Sequence, residues 1–337
     1  IVGATGNVGR KLIEVLEKKN FPLSELYLIA SSKSAGKKIN FKDSLLYSTL
    51  EPCSHYGKTS PCTDIIKKQN IKLVYFSKFD PDRRSFGKAK KELSKYNIKT
   101  FENVYKSAGD NFYRDFYIRK RTNNIFISSK LATSKDLFIC DKYNKWITNV
   151  HSRGRVHLLR ANHDSILTTS KTILKDNSTL NCRIDGLQKY SPKRFIIDKN
   201  LSIPETSKII RTANKIKTYI FYNLIDNFKL KKLKQLKVKT IRIDLKNNHL
   251  DFDKIIFFLR NKGFYRVFVE AGIEFNNFLL ENNYINDFYH FYSDELFGYK
   301  GFHNAKFFFN KMNKIMRDKK EIKINLFQDK LIKYLLK

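Results

Sequence analysis

Residues 49–62 read TLEPCSHYGKTSPC, in which the thiols of Cys53 and Cys62 stand nine positions apart behind Glu51-Pro52. That spacing suits two thiolate ligands of one zinc ion. A catalytic zinc keeps three protein ligands and an open position for water, so a third ligand and a proton-carrying carboxylate are still needed. His55 is a conceivable third ligand, and no histidine precedes it in the chain. A different chemistry is suggested at the N-terminus, where IVGATGNVG places Gly3, Gly6 and Gly9 between a strand end and a helix. Such glycines let backbone approach a dinucleotide pyrophosphate at a helix N-terminus. Cys140 and Cys182 have no comparable spacing and read as small apolar residues.

The elements that must carry these groups alternate. GRKLIEVLEKKN has helical spacing and ELYLIAS is extended. From Ser44 the character changes abruptly: SLLYSTLEP is a strand, Pro61-Cys62 opens a helix, IKLVYFS is a strand, and a Lys-rich amphipathic helix runs to about Tyr96. A helical connector near residues 105–120 leads to NNIFISSKLATSKD, then the helix VHSRGRVHLLRAN and the strands DSILTTS, RFIIDKN and KTYIFYN. The helix DFDKIIFFLRNKG, the strand YRVFVEAG and the helix EFNNFLLENN follow. This is the order of a layered α/β chain.

With 337 residues and 42% hydrophobic composition the chain can bury real cores. Its formal charge is +34, yet the lysines are spread along the whole chain among Asn, Ile, Phe and Tyr. That distribution suits a phosphorylated substrate in a diffuse positive field better than a dedicated nucleic-acid partner. No apolar run approaches the length of a membrane span, and no secretion signal is evident, so reduced thiols and a cytoplasmic location are expected.

Two resemblances refine this reading. GATGNVGRKLIEVLEKKNFPLSELYLIASSKSAGKKI resembles the opening of aspartate-semialdehyde dehydrogenase over residues 1–42, including the Ser-rich loop that approaches the cofactor phosphate in that family. That family needs a nucleophilic cysteine, and the only Asn-Cys, Asn181-Cys182, falls in a segment that matches something else. TLEPCSHYGKTSPC resembles the zinc-deaminase half of the bifunctional riboflavin-biosynthesis deaminase/reductase. KLATSKD, WITNVHSRGRVHLLRANHDSILTTSKTILKDNSTLNCR, RFIID and VEAGIEFNNFLLE resemble, in the right order, its reductase half. The deaminase chemistry uses a His and two Cys on zinc with a Glu from an upstream His-x-Glu, an element this chain lacks. Deaminase activity is therefore expected to be lost, with zinc an incomplete site at Cys53 and Cys62.

The expected organisation is a truncated Rossmann βαβ fragment at 1–43 and a partial cytidine-deaminase-like α/β segment at 44–121. A dihydrofolate-reductase-like domain, using NADPH, is expected at 122–337. The resemblance implies reduction of the ribose of 5-amino-6-(5-phosphoribosylamino)uracil to a ribityl chain. It implies substrate contacts at Asn144, Arg160, Leu180, Arg183 and Glu270, the arginines offering forked donors to phosphate and Glu270 accepting from pyrimidine N–H groups. It implies cofactor contacts at Ala132, Trp146, Thr172, Asp176 and the run beginning at Gly272, whose helix start can receive a phosphate. Lys135-Asp136-Leu137 departs from the Leu-Asp-Gly typical of the family. No general acid stands out. A homodimer is compatible with this reading. The competing classes are a basic nucleic-acid-binding protein and a still competent zinc-dependent pyrimidine deaminase.

Overall fold

Val267, Phe268 and Val269 form an unbroken apolar run, as a strand covered on both faces must. In the computed structural model, which describes residues 7–18, 44–57, 59–143 and 146–336, all three are fully buried. The chain divides into two units, Ile1–Tyr113 and Arg114–Lys337.

The first unit contains α1 (Asn7–Lys18), β1 (Leu45–Leu50), α2 (Cys62–Lys68), β2 (Leu73–Lys78), α3 (Ala89–Ser94), β3 (Lys99–Phe101) and α4 (Lys106–Phe112). Gly3, Gly6, the strands expected on either side of α1 and the Ser-rich loop lie outside the described residues. Strands β1, β2 and β3 form a parallel sheet in that order. Its core cluster among the described residues is small: Ile66, Val74, Leu93 and Ile98. Register partners Tyr47, Tyr75 and Phe101 stack at 4.8 and 4.6 Å, with Tyr47 and Phe101 exposed. The Lys-rich helix is shorter than its composition suggests. Buried Glu51 accepts the N–H groups of Asp80, Gly87 and Ala89, which fixes a turn where the helix was expected to begin.

The second unit begins with α5 (Arg114–Thr122), β4 (Phe126–Thr133), β5 (Phe138–Asp141), α6 (Val150–Ala161), β6 (Ser165–Thr169), α7 (Ser170–Asp176), β7 (Lys193–Ile197), α8 (Lys208–Arg211) and β8 (Thr218–Tyr222). It continues with α9 (Asn227–Gln235), β9 (Lys239–Arg242), β10 (Leu245–Lys246), β11 (His249–Leu250), α10 (Phe252–Asn261), β12 (Arg266–Glu270) and α11 (Ile273–Glu281). It closes with β13 (Asp287–Tyr292), β14 (Gly301–Asn304), α12 (Lys306–Ile315), β15 (Asp318–Glu321) and β16 (Lys330–Leu335). Nine strands form one sheet in the order β15-β16-β13-β4-β12-β6-β7-β8-β9, parallel from β13 to β9. Alternate residues feed two cores: Val267, Val269 and Phe195 point to one, Phe268 and Ile196 to the other. The second unit is thus α/β, with its large sheet packed on both faces. No helix among the described residues is long and apolar enough to cross a membrane.

Because β12 inserts between β4 and β6, chain direction around the sheet reverses there. Open α/β sheets bind ligands outside the carboxyl ends of the strands at such a switch point. Two side-chain links fix the strand ends at this place. Thr168 Oγ1 donates to the Glu270 carbonyl at 2.7 Å. Buried Asn276 of α11 accepts from Ser129 Oγ of β4 and donates to the Ala271 and Gly272 carbonyls, which seats the start of α11 against the sheet.

The departure at residues 135–137 has a structural counterpart. Asp136 accepts from Ser134 Oγ and from the Phe297 and Gly298 N–H groups. Burial opposes its ionisation, but these bonds outweigh that and hold its carboxyl below the usual range. Leu137 follows at φ +67°, a left-handed conformation that glycine adopts freely and leucine does not. In a urea titration Leu137→Gly should therefore be more stable than Leu137→Ala by about 1 kcal/mol, since both lose the same packing and only alanine keeps the strain. The ordinary order, alanine above glycine, would show the turn to be relaxed.

Candidate active site

Five polar side chains from four segments meet at the switch point. Glu270 ends β12 and is buried; Arg160 lies in the last turn of α6. Arg160 Nε donates to Glu270 Oε1 at 2.5 Å and Nη2 donates to Oε2 at 2.9 Å, a forked pair with only about a tenth of either side chain exposed. Arg160 Nη1 donates to the Asn181 carbonyl at 3.0 Å. His157, one turn earlier on α6, has Nδ1 2.9 Å from the same carbonyl, while Arg183 Nε and Nη2 approach its Nε2 at 3.2 and 3.1 Å. These contacts assign the Nδ1–H tautomer, with Nε2 accepting from Arg183. Lys130 of β4 is the register partner of Glu270, so both side chains leave the same face of the sheet.

The electrostatics follow from this crowding. Burial pushes the Glu270 carboxyl up, but the Arg160 charge and fork, then Lys130 and His157, outweigh it and hold it below its ordinary range. Burial lowers the His157 pKa and the Arg160 charge lowers it further, so the ring is neutral near pH 7. Burial also drives the Lys130 ammonium below its ordinary value, against the pull of Glu270. Lys130 Nζ makes no hydrogen bond among the described residues, which leaves its protons available to a ligand.

Of the residues singled out in the sequence, Arg160, Arg183 and Glu270 are brought together through His157 and Asn181. Leu180 precedes Asn181 at φ +49°, but its side chain is buried in the core, so only its backbone can face the cleft. Asp176 ends α7 and its charge acts on Lys130. Thr172 Oγ1 lies 3.2 Å from Thr169 Oγ1 at the end of β6. Gly272 caps α11 without a side-chain bond, and a Cβ there would meet nothing within 4 Å, so the helix start faces open space. Ala132 is half-buried near the end of β4. Trp146 is exposed ahead of α6, with the Arg153 guanidinium 4.8 Å over its ring. Asn144 lies outside the described residues. Lys130 and His157 were both overlooked. The signal for Lys130 was a lone cation inside the otherwise apolar and hydroxylic strand FISSKLAT.

The cysteine segment is a separate feature of the first unit. Cys62 N–H donates to Cys53 Sγ at 3.2 Å, and burial, then Cys53 itself, pushes the Cys62 thiol up. His55 Nδ1 is engaged 2.6 Å from Ser85 Oγ. No group of three His, Cys, Asp or Glu among the described residues could hold a metal ion. The donors present do not fit a three-ligand zinc centre.

Comparison with known proteins places this geometry. The family model described as the RibD C-terminal domain matches residues 126–303, more than half of the chain. The chain belongs to the RibD C-terminal domain family. The model for the semialdehyde dehydrogenase NAD-binding domain matches residues 1–76, running past residue 42 and through both Cys53 and Cys62. The riboflavin biosynthesis protein RibD of Bacillus amyloliquefaciens is 29% identical over 256 residues, covering 75% of this chain and 68% of the relative. A Thermotoga maritima structure described as a diaminohydroxyphosphoribosylaminopyrimidine deaminase/5-amino-6-(5-phosphoribosylamino)uracil reductase superposes with a TM-score of 0.69 at 22% identity, covering 96% and 83% of the two chains. The Saccharomyces riboflavin biosynthesis reductase Rib7 superposes with a TM-score of 0.50 at 19% identity, covering 68% of this chain and 99% of that one. These likenesses bear out the reductase-type α/β fold of the second unit.

Proposed function

We infer that the second unit is a 5-amino-6-(5-phosphoribosylamino)uracil reductase of riboflavin biosynthesis that uses NADPH. The observation that carries the reading is the cluster of Lys130, Arg160, Glu270, His157 and Arg183 at the carboxyl ends of β4 and β12, in a chain of this family. NADPH, when bound, supplies a hydride. The open start of α11 at Gly272 fits one of its phosphates, and Ala132, Thr172, Asp176 and Trp146 are the further residues proposed to hold it.

The remaining work falls to the chain's own side chains. Converting the ribose to a ribityl chain forms a C–H bond at the anomeric carbon, breaks its bond to the ring oxygen and requires a proton on that oxygen. Lys130 is proposed to hold that proton, since burial weakens its hold on it and no acceptor among the described residues claims it. Glu270, oriented by the Arg160 fork, accepts from the pyrimidine N–H groups. Arg160 already spends three donors inside the protein, so the exposed Arg183 is the principal phosphate holder.

Arg183→Ala should raise KM for the phosphorylated substrate about 10–100-fold with little change in kcat, because a charge-assisted contact made equally before and during reaction is lost. NADPH oxidation with the deaminated pyrimidine measures this. Equal KM values for the two proteins would remove Arg183 from the site. The deaminase step is not proposed for the described part of the first unit, whose donors make no zinc centre.

A further inference from the structure

Arg194, at the start of β7, is wholly buried. Its guanidinium nevertheless has only neutral acceptors among the described residues. Nε and Nη2 donate to Thr218 Oγ1 at 3.0 and 2.7 Å, Nη2 also to the Ile216 carbonyl at 3.1 Å, and Nη1 to Thr212 Oγ1 at 2.8 Å and the Thr179 carbonyl at 2.9 Å. All five N–H donors are used. A buried cation without a counter-ion is costly to keep, and methionine of similar length would fill the same space.

Of these acceptors the Thr179 carbonyl belongs to the loop that leads to the cleft. Two residues on, the Asn181 carbonyl is held from the cleft side by Arg160 and His157. Between these two clamped peptide groups sits Leu180 in the left-handed region at φ +49°, a conformation that costs a non-glycine residue and persists only where its surroundings impose it. Thr179 Oγ1 further donates to Asn181 Oδ1 at 2.7 Å, and Arg183 follows on the same loop.

We propose that Arg194 is a positioning residue for substrate: from behind the loop it fixes the Thr179 carbonyl, and with it the strained Leu180 backbone and the approach of Arg183 to the cleft. This rests on the reductase reading. Arg194→Lys keeps the cation and removes the fork. Amide exchange of residues 177–183 should then quicken about tenfold while residues 193–197 keep their protection, and KM for the phosphoribosylamino-pyrimidine should rise about tenfold. The NADPH dissociation constant, read from NADPH fluorescence, should stay within about twofold. Thr212→Val strips one acceptor and leaves the guanidinium in place, so it should give the same pattern at smaller amplitude, and it carries the test if the lysine variant does not fold.

Exchange rising equally through β7, or KM and NADPH affinity moving together, would make Arg194 a packing residue and overturn the proposal. Unchanged exchange in 177–183 would overturn it as well. Faster loop exchange in a protein whose parent shows no turnover would sink the reductase reading and leave the tether standing.

Discussion

Replacing Glu270 with Gln should lower unfolding free energy by about 3–5 kcal/mol, because it strands the Arg160 guanidinium in a site from which water is largely excluded. The same change should lower kcat/KM at least about 100-fold. Two effects combine in the second figure. The pyrimidine loses a charged acceptor, and Lys130 loses the carboxylate that supports its protonated form. The Lys130 pKa already lies below its ordinary value, and without Glu270 it falls further. The alkaline limb of the rate profile, where a proton donor is lost as pH rises through its pKa, should therefore move to lower pH in the variant. Urea titrations and NADPH oxidation between pH 7 and 10 measure both effects. A glutamine variant as stable as the parent would show the pair to be solvated, and an unmoved alkaline limb would remove Lys130 as the proton donor.

Acid should destabilise the second unit well before its carboxylates titrate. His163 lies against Phe268 with Nδ1 2.6 Å from the Leu159 carbonyl, and burial pushes its pKa down to about 4. His290 lies on Phe309 with Nε2 2.8 Å from Thr133 Oγ1, and burial pushes its pKa down to about 3. In the unfolded chain each titrates near its ordinary value of 6.5. Between that value and the folded value the unfolded state binds more protons, so stability falls as pH falls. The contribution is fully present above pH 6.5 and is lost progressively toward about 4 for His163 and about 3 for His290, on the order of a few kcal/mol each. Urea midpoints at pH 7 and pH 4.5 test this, and His290→Gln should remove its share of the slope. A flat profile across that interval would mean the rings are not held neutral.

Periodicity served well where burial is one-sided or complete. The pattern of VHSRGRVHLLRAN became α6, that of DFDKIIFFLRNKG became α10, and the unbroken run before Glu270 became the central β12. It served poorly where tertiary bonds decide. The truncation of α3 comes from Glu51, some forty residues away, and the edge strand β9 with its Lys-rich helix α9 has too little apolar contrast to declare itself. The site divides the same way. The resemblance to the reductase half picked out Arg160 and Glu270 separately, as partners for two parts of a ligand. That they hold each other could not be read from residues 110 positions apart. Lys130 was visible as a cation in a buried strand, but its meaning depends on the register that sets it opposite Glu270.

Among the described residues the cores are unequal: one cluster of four buried side chains in the first unit, with Phe76 and Ala89 also buried, against two large clusters in the second. Heating should then produce two transitions of unequal size, and no single melting temperature describes the chain. A dye or light-scattering scan would report the early, minor event, helped by the aromatic rings on the small sheet, while turnover continued. Thermal tolerance for this molecule is better defined by the temperature at which catalysis stops.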